Sequence, residues 1–322
     1  MPRRFVRVGL LAAAPVVGLG APTAVGLGAA TLQEVAPEVP AAEQPTGERY
    51  FDADGVRIRY LDRGSGEPVV LLHGFSLSAE MNWGPTGLLA SIPREFRLIA
   101  VDLRGHGRSG KPSGPESYGR ELMNDVVRLL DHLGIEQATL VGYSMGGAIA
   151  LKLLTEQPER IRAAVLGGSG WRPPGTPPPA FLLGWVDGLD AVAEGSGSVT
   201  EVLWRPGWPD PTPEMRAGLD ANDAGALAAV LRSLGELPVS EEALRQSEVP
   251  VLAVVGEEDF VLPEVEALRA VRPDVSVVML PGSNHATALF DPGLEAAVLR
   301  FLRGHEGRRT DPQPAGSGGS PR

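Results

Sequence analysis

The sequence predicts an α/β fold, in which helices cover both faces of a mostly parallel β-sheet. Short, continuous apolar runs of the kind found in buried parallel strands recur along the chain. Segments with the apolar spacing of a helix separate them, as in residues 118–133, which stop at Gly134. Strands that alternate with helices in this way form a doubly wound sheet. The apolar runs are residues 68–72, 96–101, 138–141, 161–166, 249–255 and 275–280.

The first strands of the folded region have a different pattern. Residues 49–53 and 56–62 flank Asp54-Gly55, a dipeptide typical of two-residue hairpin turns. In the second segment, apolar residues alternate with Arg57 and Arg59. This alternation predicts an antiparallel strand at the sheet edge, with its arginine face in water.

The alternation of strands and helices is interrupted at about residues 169–247. This stretch is too long for an ordinary loop and contains four tryptophans, many prolines and glycines, and helical patterns at residues 213–220 and 224–234. We therefore expect an inserted helical lid. Trp171 and Trp185 are candidates for a substrate pocket beneath it, whereas packing explains Trp204 and Trp208 at least as well.

Composition excludes several classes of function. The chain has 322 residues, of which 43% are hydrophobic, and a formal net charge of −11. Such an acidic protein is not expected to bind nucleic acid, because neutralising phosphates needs clustered cations. The sequence contains no cysteine, which excludes disulfides, thiolate metal sites and a cysteine nucleophile.

The ends of the chain are predicted to lie outside the fold. Three arginines within the first seven residues precede an uncharged, mostly apolar run, residues 8–33. This pattern predicts a signal peptide at residues 1–30 and an exported protein, with a membrane anchor as the alternative. Residues 31–47 resemble a linker and residues 304–322 a disordered tail. The folded domain is therefore expected at residues 48–303.

A Gly-x-Ser-x-Gly motif, residues 142–146, follows one of the apolar runs and opens a helical segment. A strand, a sharp turn and a helix form the context of a nucleophile elbow. Ser144 would lie at the strained apex of the turn, with its hydroxyl exposed. The main-chain amide of Met145, at the helix N-terminus, would point toward an oxyanion formed beside the serine. Taken alone, the motif is also compatible with a glycine-rich turn that carries a serine by chance.

The order of motifs resembles the α/β-hydrolase superfamily, in its serine-nucleophile, lid-containing branch of esterases and haloperoxidases. The resemblance covers residues 48–303 and implies an eight-stranded, mostly parallel sheet and a triad of nucleophile, acid and histidine. It also implies a reaction that usually needs no metal or organic cofactor, and we expect none. The matching pieces are Leu72-His73-Gly74-Phe75, residues 102–109, residues 142–147, Gly256-x-x-Asp259-x-x-x-Pro263 and Asn284-His285.

A serine hydroxyl becomes a good nucleophile only when a base takes its proton and a carboxylate orients that base. Among the five histidines, His285 alone lies in a loop after a predicted sheet strand and after the acidic residues, so we predict it as the base. The family pattern selects Asp259 as the acid. The neighbouring Glu257 and Glu258 are expected to be solvated.

The resemblance also places the oxyanion hole. It implies the main-chain N–H groups of Phe75 and Met145 as its two donors. His73, beside Phe75, is expected to brace this loop. Trp83 matches a tryptophan often found behind the oxyanion loop in relatives, where it either lines the substrate pocket or fills the core.

A serine at the nucleophile position indicates acyl chemistry. Epoxide hydrolases and haloalkane dehalogenases of this fold need a carboxylate there instead. The lid carries no cluster of arginines for a polyanionic ligand, so we expect hydrolysis of a carboxylic ester in a small to medium, mostly apolar, small-molecule substrate. Carbon–carbon bond hydrolysis and cofactor-free haloperoxidase or perhydrolase activity are the alternatives within the family. A lid-gated binding protein with a vestigial triad is the alternative that is not an enzyme. A membrane partner is expected only if the N-terminal segment stays uncleaved.

Overall fold

The computed structural model of the protein describes residues 47–306. The predicted signal peptide lies outside the described residues, as do nearly all of the predicted linker and most of the predicted tail. No helix within residues 47–306 is long and apolar enough to cross a membrane.

Eight strands form one sheet in the order β1-β2-β4-β3-β5-β6-β7-β8. The pairs β1–β2 and β2–β4 are antiparallel, and every other neighbouring pair is parallel. The predicted alternation of parallel strands and helices is therefore correct. The strands are β1 Glu48–Ala53, β2 Val56–Arg63, β3 Pro68–Leu72, β4 Arg97–Val101, β5 Ala138–Tyr143, β6 Ile161–Gly167, β7 Val251–Gly256 and β8 Ser276–Leu280.

Eleven α-helices occur in the described part of the chain, and five of them, α5 to α9, lie between β6 and β7, in the region predicted as a lid. They are α1 Ala79–Trp83, α2 Leu88–Ser91, α3 Arg120–His132, α4 Met145–Glu156, α5 Ala180–Ala193, α6 Val199–Leu203, α7 Pro213–Asp220, α8 Ala224–Ser233, α9 Glu241–Gln246, α10 Leu262–Val271 and α11 Pro292–Gly304. Single-turn 3-10 helices lie at Ile92–Arg94, Pro115–Ser117, Pro158–Arg160, Leu234–Glu236 and Thr287–Phe290.

Helices cover the sheet on both faces. Val70 and Leu72 of β3 belong to a core cluster that includes residues of α3, α4 and α10. Val69 and Leu71 belong to a second cluster, which includes residues of α1, α2 and α11. Because side chains alternate along a strand, one short apolar run fills both cores at once.

The prediction that β2 is an edge strand with a wet arginine face was wrong. The edge strand is β1, and β2 lies between β1 and β4. Arg57 is exposed, but only 1% of Arg59 is accessible. Helix α1 covers this part of the sheet and brings Glu80 to the Arg59 guanidinium, at 2.7 Å from Nη1. Asp102, at the end of β4, lies 3.4 Å from the same nitrogen. Arg59 is thus a buried cation paired with the buried Asp102 and the partly exposed Glu80.

Candidate active site

Ser144 lies at a sharp turn between β5 and α4. Its backbone has φ 52° and ψ −113°, a left-handed φ that residues other than glycine rarely adopt. The flanking glycines permit the turn, because a Cβ on Gly142 would lie 2.2 Å from the carbonyl oxygen of Gly146. A Cβ on Gly146 would lie 2.0 Å from the carbonyl oxygen of Leu72. The motif therefore has the backbone geometry of a nucleophile elbow.

Ser144, His285 and Asp259 form a continuous hydrogen-bonded chain. Nε2 of His285 is 3.0 Å from Oγ of Ser144. Nδ1 of His285 is 3.0 Å from each carboxylate oxygen of Asp259. A carboxylate at Nδ1 keeps the proton on that nitrogen and leaves Nε2 as the acceptor for the serine proton. These distances are within the range for general-base catalysis.

The loops that carry Asp259 and His285 are held together at the carboxyl ends of β7 and β8. These strands are parallel neighbours, so both loops leave the same edge of the sheet. The main-chain N–H of Glu258 donates to the carbonyl of Ser283 at 2.9 Å. A Cβ on Gly256 would lie 2.1 Å from that carbonyl oxygen, so glycine permits the close approach. The side chain of Asp259 is fully buried, whereas Glu257 and Glu258 are exposed.

Phe75 and Met145, the predicted oxyanion donors, both border the cavity beside Ser144. Met145 is the first residue of α4, where amides have no acceptor within the helix. The Phe75 loop is fixed through Gly74, whose N–H donates to Oδ1 of Asn82 at 2.9 Å. A Cβ on Gly74 would lie 3.5 Å from the Cβ of Ser144. The loop thus passes directly beside the serine.

His73 and His106 form a buried pair behind the Phe75 loop. Nδ1 of His73 donates to the carbonyl of Gly74 at 2.8 Å, and its Nε2 accepts from the main-chain N–H of Leu103 at 2.9 Å. The His106 ring meets the His73 ring edge-on at 5.1 Å and the Phe75 ring at 5.8 Å. Burial lowers the pKa of His73 to about 4 and, together with the charge of His73, that of His106 to about 3. Both are neutral imidazoles that brace the loop.

Two residues at the site were not identified from the sequence. The hydroxyl of Tyr143 donates to the main-chain carbonyl of His285 at 2.5 Å. Burial raises the pKa of Tyr143 above its ordinary value, with a further contribution from the Asp259 charge, so the hydroxyl stays protonated. The ring of Phe260 lies 4.5 Å from the His285 imidazole. The only sequence feature that could have indicated them is that Tyr143 directly precedes Ser144 and Phe260 directly follows Asp259.

A cavity of about 810 Å³ opens over Ser144 and His285. Trp171 and Trp185 line it as predicted, and so do Trp204 and Trp208. Trp171 is held by its indole N–H, which donates to the carbonyl of Val239 at 2.9 Å.

The suggestion that Trp83 lines the pocket was wrong. Only 1% of its surface is accessible, and it is absent from the cavity wall. Trp83 is instead part of the core cluster that contains α1 and α2. It is the last residue of α1, and its position there directs it into this core.

Helix α5 forms part of the cavity roof and contacts both sides of the site. The ring of Trp185 stacks on Phe75 at 6.1 Å, on the side of the oxyanion loop. The ring of Phe181 meets Phe260 edge-on at 5.1 Å, on the side of the acid loop. The roof therefore rests on aromatic pairs at either edge of the triad.

The two arginines in the cavity wall are paired with carboxylates. Nε of Arg172 donates to Glu264 at 2.9 Å, and Arg232 pairs with Asp190. Within residues 47–306 there is no group of three or more histidine, aspartate or glutamate side chains that could hold a metal ion. The arrangement brings together a candidate nucleophile, base and acid and two candidate oxyanion donors beside a largely apolar space.

Comparison with known proteins places this geometry in a family. The family profile described as alpha/beta hydrolase fold matches residues 67–196. The chain is 30% identical over 276 residues to the 2-hydroxy-6-oxo-6-(2'-aminophenyl)hexa-2,4-dienoic acid hydrolase of Metapseudomonas resinovorans, a match that covers 79% of this chain and 90% of that protein.

Solved structures agree with this assignment. A thermophilic esterase from Thermogutta terrifontis superimposes with a TM-score of 0.68 at 25% identity, over 80% of this chain and 99% of that one. Est816, described as an N-acyl homoserine lactone degrading enzyme, superimposes with a TM-score of 0.61 at 28% identity, over 79% and 100%. The protein belongs to the α/β-hydrolase family.

Proposed function

We propose that this hydrolase cleaves a carboxylic ester through an acyl-enzyme on Ser144. The observation that carries the proposal is the hydrogen-bonded chain from Ser144 through His285 to Asp259, at 3.0 Å for each link, which opens onto an apolar cavity. Ser144 is the nucleophile, His285 the general base and Asp259 the residue that orients the base.

In the proposed reaction, Oγ of Ser144 attacks the ester carbonyl while Nε2 of His285 takes its proton. The carbonyl oxygen becomes an oxyanion, which the amides of Phe75 and Met145 stabilise. His285 then gives the proton to the leaving alcohol as the carbon–oxygen bond breaks. Water, deprotonated by His285, attacks the acyl-enzyme and releases the carboxylic acid, and Ser144 regains its proton.

The cavity supports a neutral, small to medium, mostly apolar substrate. A volume of about 810 Å³ is of the size that holds a small organic molecule. The carboxylates of Glu264 and Asp190 neutralise the two arginines in its wall. An anionic group on the substrate would compete with these carboxylates for the guanidinium groups.

Carbon–carbon bond hydrolysis is the second candidate, because the relative from Metapseudomonas resinovorans is named for a hydroxy-oxo-dienoic acid, which contains no ester. The paired arginines favour the ester, since a dienoic acid carries a carboxylate. A cofactor-free haloperoxidase or perhydrolase would use the same three residues. A binding protein with a vestigial triad is disfavoured by the intact hydrogen-bonded chain.

The experiment is a turnover panel on the purified protein. It includes short-chain aryl esters, lactones and a vinylogous diketone, each with Ser144→Ala as a control. We expect turnover of the neutral aryl esters and none above buffer for the serine variant. Cleavage of the diketone alone would replace ester hydrolysis by carbon–carbon bond hydrolysis. Saturable binding without turnover of any substrate would favour the binding protein.

We also infer export from the three arginines and the uncharged run at the N-terminus. N-terminal sequencing of protein recovered outside the cell should begin near Thr31. Protein that remains in the cytosol and begins at its first residues would contradict this inference.

A further inference from the structure

The large apolar side chains that remain exposed are concentrated at the cavity mouth. In the region from residue 47 to residue 306, four of them are more than a third exposed: Leu183 at 61%, Phe290 at 55%, Met279 at 47% and Phe260 at 38%. Leu183, Phe260 and Phe290 also border the cavity, whereas Met279 does not. A side chain that is both exposed and part of the cavity wall lies at the opening. We call these three residues the apolar rim.

The rim continues into an uncharged segment of the lid. Residues 173–186 contain no charged side chain, and within them Ala180, Leu183 and Gly184 at the start of α5 are exposed. Phe181, in the same turn, contacts Phe260 across the opening. Phe260 lies in the segment that follows β7, and Phe290 lies in the segment that follows the neighbouring strand β8. Three separate segments thus contribute exposed apolar side chains to the border of one cavity.

The charges around the apolar rim indicate which kind of lipid surface it can bind. Two arginines near the opening are paired with carboxylates, Arg172 with Glu264 and Arg232 with Asp190. A third, Arg205, places its guanidinium carbon 4.0 Å from the ring centroid of Phe181 and 5.1 Å from that of Phe260. Asp187 on α5 and the two glutamates before Phe260 are exposed. A surface of anionic headgroups would be repelled by these acids and by the net charge of −11. A zwitterionic surface would not be repelled, and leucine and phenylalanine are side chains that enter the headgroup and acyl boundary of such a surface.

We propose that the apolar rim docks on a zwitterionic lipid bilayer and that the cavity takes an ester dissolved in that bilayer. The rim would enter the boundary region with the cavity opening facing the lipid. An apolar ester could then reach Ser144 without crossing water. Docking stands on the rim alone, whereas the nature of the substrate rests on the ester hydrolysis proposed above.

The test uses tryptophan fluorescence, because all five tryptophans lie between residues 83 and 208. The N-terminal segment contains no tryptophan, so the signal comes from the folded domain and not from that segment. The full chain carrying Ser144→Ala is titrated with vesicles of dibrominated phosphatidylcholine, whose bromine quenches nearby indoles. We expect saturable quenching, in which Trp185, two residues from Leu183, contributes to the signal.

The rim variant is Leu183→Asp with Phe290→Asp, and the matched control is Met279→Asp. All three positions are already exposed, so the folded state can be checked by thermal unfolding. Because both side chains would otherwise leave water for the lipid, the rim variant should need at least about tenfold more lipid for half-maximal quenching. Met279→Asp should behave as the parent, and adding phosphatidylglycerol to the vesicles should weaken the response.

Three results would overturn docking: no quenching of the parent protein, an equal loss for Met279→Asp, or lipid-independent dimers that dissociate in the rim variant. Turnover of a soluble short-chain aryl ester by the unmodified enzyme tests the proposed function separately. If the enzyme turned over the soluble ester but showed no quenching, only the proposal of bilayer docking would be wrong. If it showed quenching but turned over no ester, only the proposal of ester hydrolysis would be wrong.

Discussion

Asn222, two residues beyond lid helix α7, donates a hydrogen bond of 2.9 Å to the main-chain carbonyl of Ser76. Ser76 directly follows Phe75, one of the two candidate oxyanion donors, and has a left-handed φ of 63°. The same helix packs on α1, since a Cβ on Gly218 would lie 2.8 Å from the sulfur of Met81. The lid and the loop that carries Phe75 are therefore joined directly, and this hydrogen bond helps to hold the strained Ser76 backbone in place.

We predict that Asn222→Asp lowers kcat for a soluble aryl ester more than it raises KM. The variant keeps the size of the side chain but replaces the donor by an oxygen that repels the Ser76 carbonyl. A loss of about 1–2 kcal/mol of transition-state stabilisation corresponds to about a tenfold fall in kcat.

The matched control is Asp220→Ala. It removes the acceptor for the main-chain N–H of Thr200 within the lid, at 2.8 Å, and leaves the contact with Ser76 intact. We expect a lower unfolding temperature with nearly unchanged kcat. If Asp220→Ala lowered kcat as much as Asn222→Asp, the effect would belong to lid stability and not to the oxyanion loop.

The three acids after β7 should differ sharply in their effects. Asp259→Asn should lower kcat on the order of 10³-fold, because the amide no longer holds His285 in the required tautomer. Glu257→Gln and Glu258→Gln change exposed side chains and should stay close to the parent. Steady-state kinetics on the three purified variants is the measurement, and comparable losses would mean that the acid lies elsewhere.

The catalytic candidates could be predicted because each follows a strong local signal. Ser144, Asp259 and His285 stand just beyond β5, β7 and β8, and strands of this kind are short apolar runs. The carboxyl ends of parallel strands lie at one edge of the sheet. The positions of these residues after their strands were therefore enough to predict that they lie close together. His73 lies directly after β3 and braces the Phe75 loop as predicted, and its partner His106 lies in the turn after β4.

Tyr143 is predicted to position the base through its backbone. In Tyr143→Phe, the carbonyl of His285 loses its donor, which costs about 1–3 kcal/mol for a buried group. We expect a lower unfolding temperature and a several-fold fall in kcat, with KM nearly unchanged. An unaltered kcat in a destabilised but folded variant would limit Tyr143 to a structural role.

The buried histidines predict acid sensitivity of the fold. The native pKa values of His73 and His106 are about 4 and about 3, below the unfolded-state value of about 6.5. The unfolded chain therefore binds more protons below that pH, so the free energy of unfolding is highest above it and falls with pH toward 4. Each histidine should cost about 2 kcal/mol at pH 5 relative to pH 7.

Denaturant titrations between pH 4 and pH 7.5 measure this loss, and NMR of the imidazole protons should show two rings still neutral at pH 5. A free energy of unfolding that stays level from pH 7 to pH 5 would contradict the assignment of two buried neutral histidines.

What the sequence could not predict are contacts between distant segments. The bond from Asn222 to Ser76 joins residues 146 positions apart, and no local pattern marks either partner. The alternation around Arg59 suggested a wet face, because nothing in β2 reveals that α1 and its Glu80 cover it. The sequence also left open whether Trp83 lines the pocket or fills the core, because the direction of the short helix α1, which determines its position, cannot be read from the sequence.

The central claim is that Ser144 forms the acyl-enzyme, and trapping that intermediate tests it most directly. A slowly hydrolysed aryl ester, quenched in acid during turnover and followed by peptide mass spectrometry, should place the acyl mass on the peptide that contains Ser144. Ser144→Ala should give neither the adduct nor turnover above buffer. Turnover that persists in the alanine variant, or an acyl group found on another residue, would contradict the account.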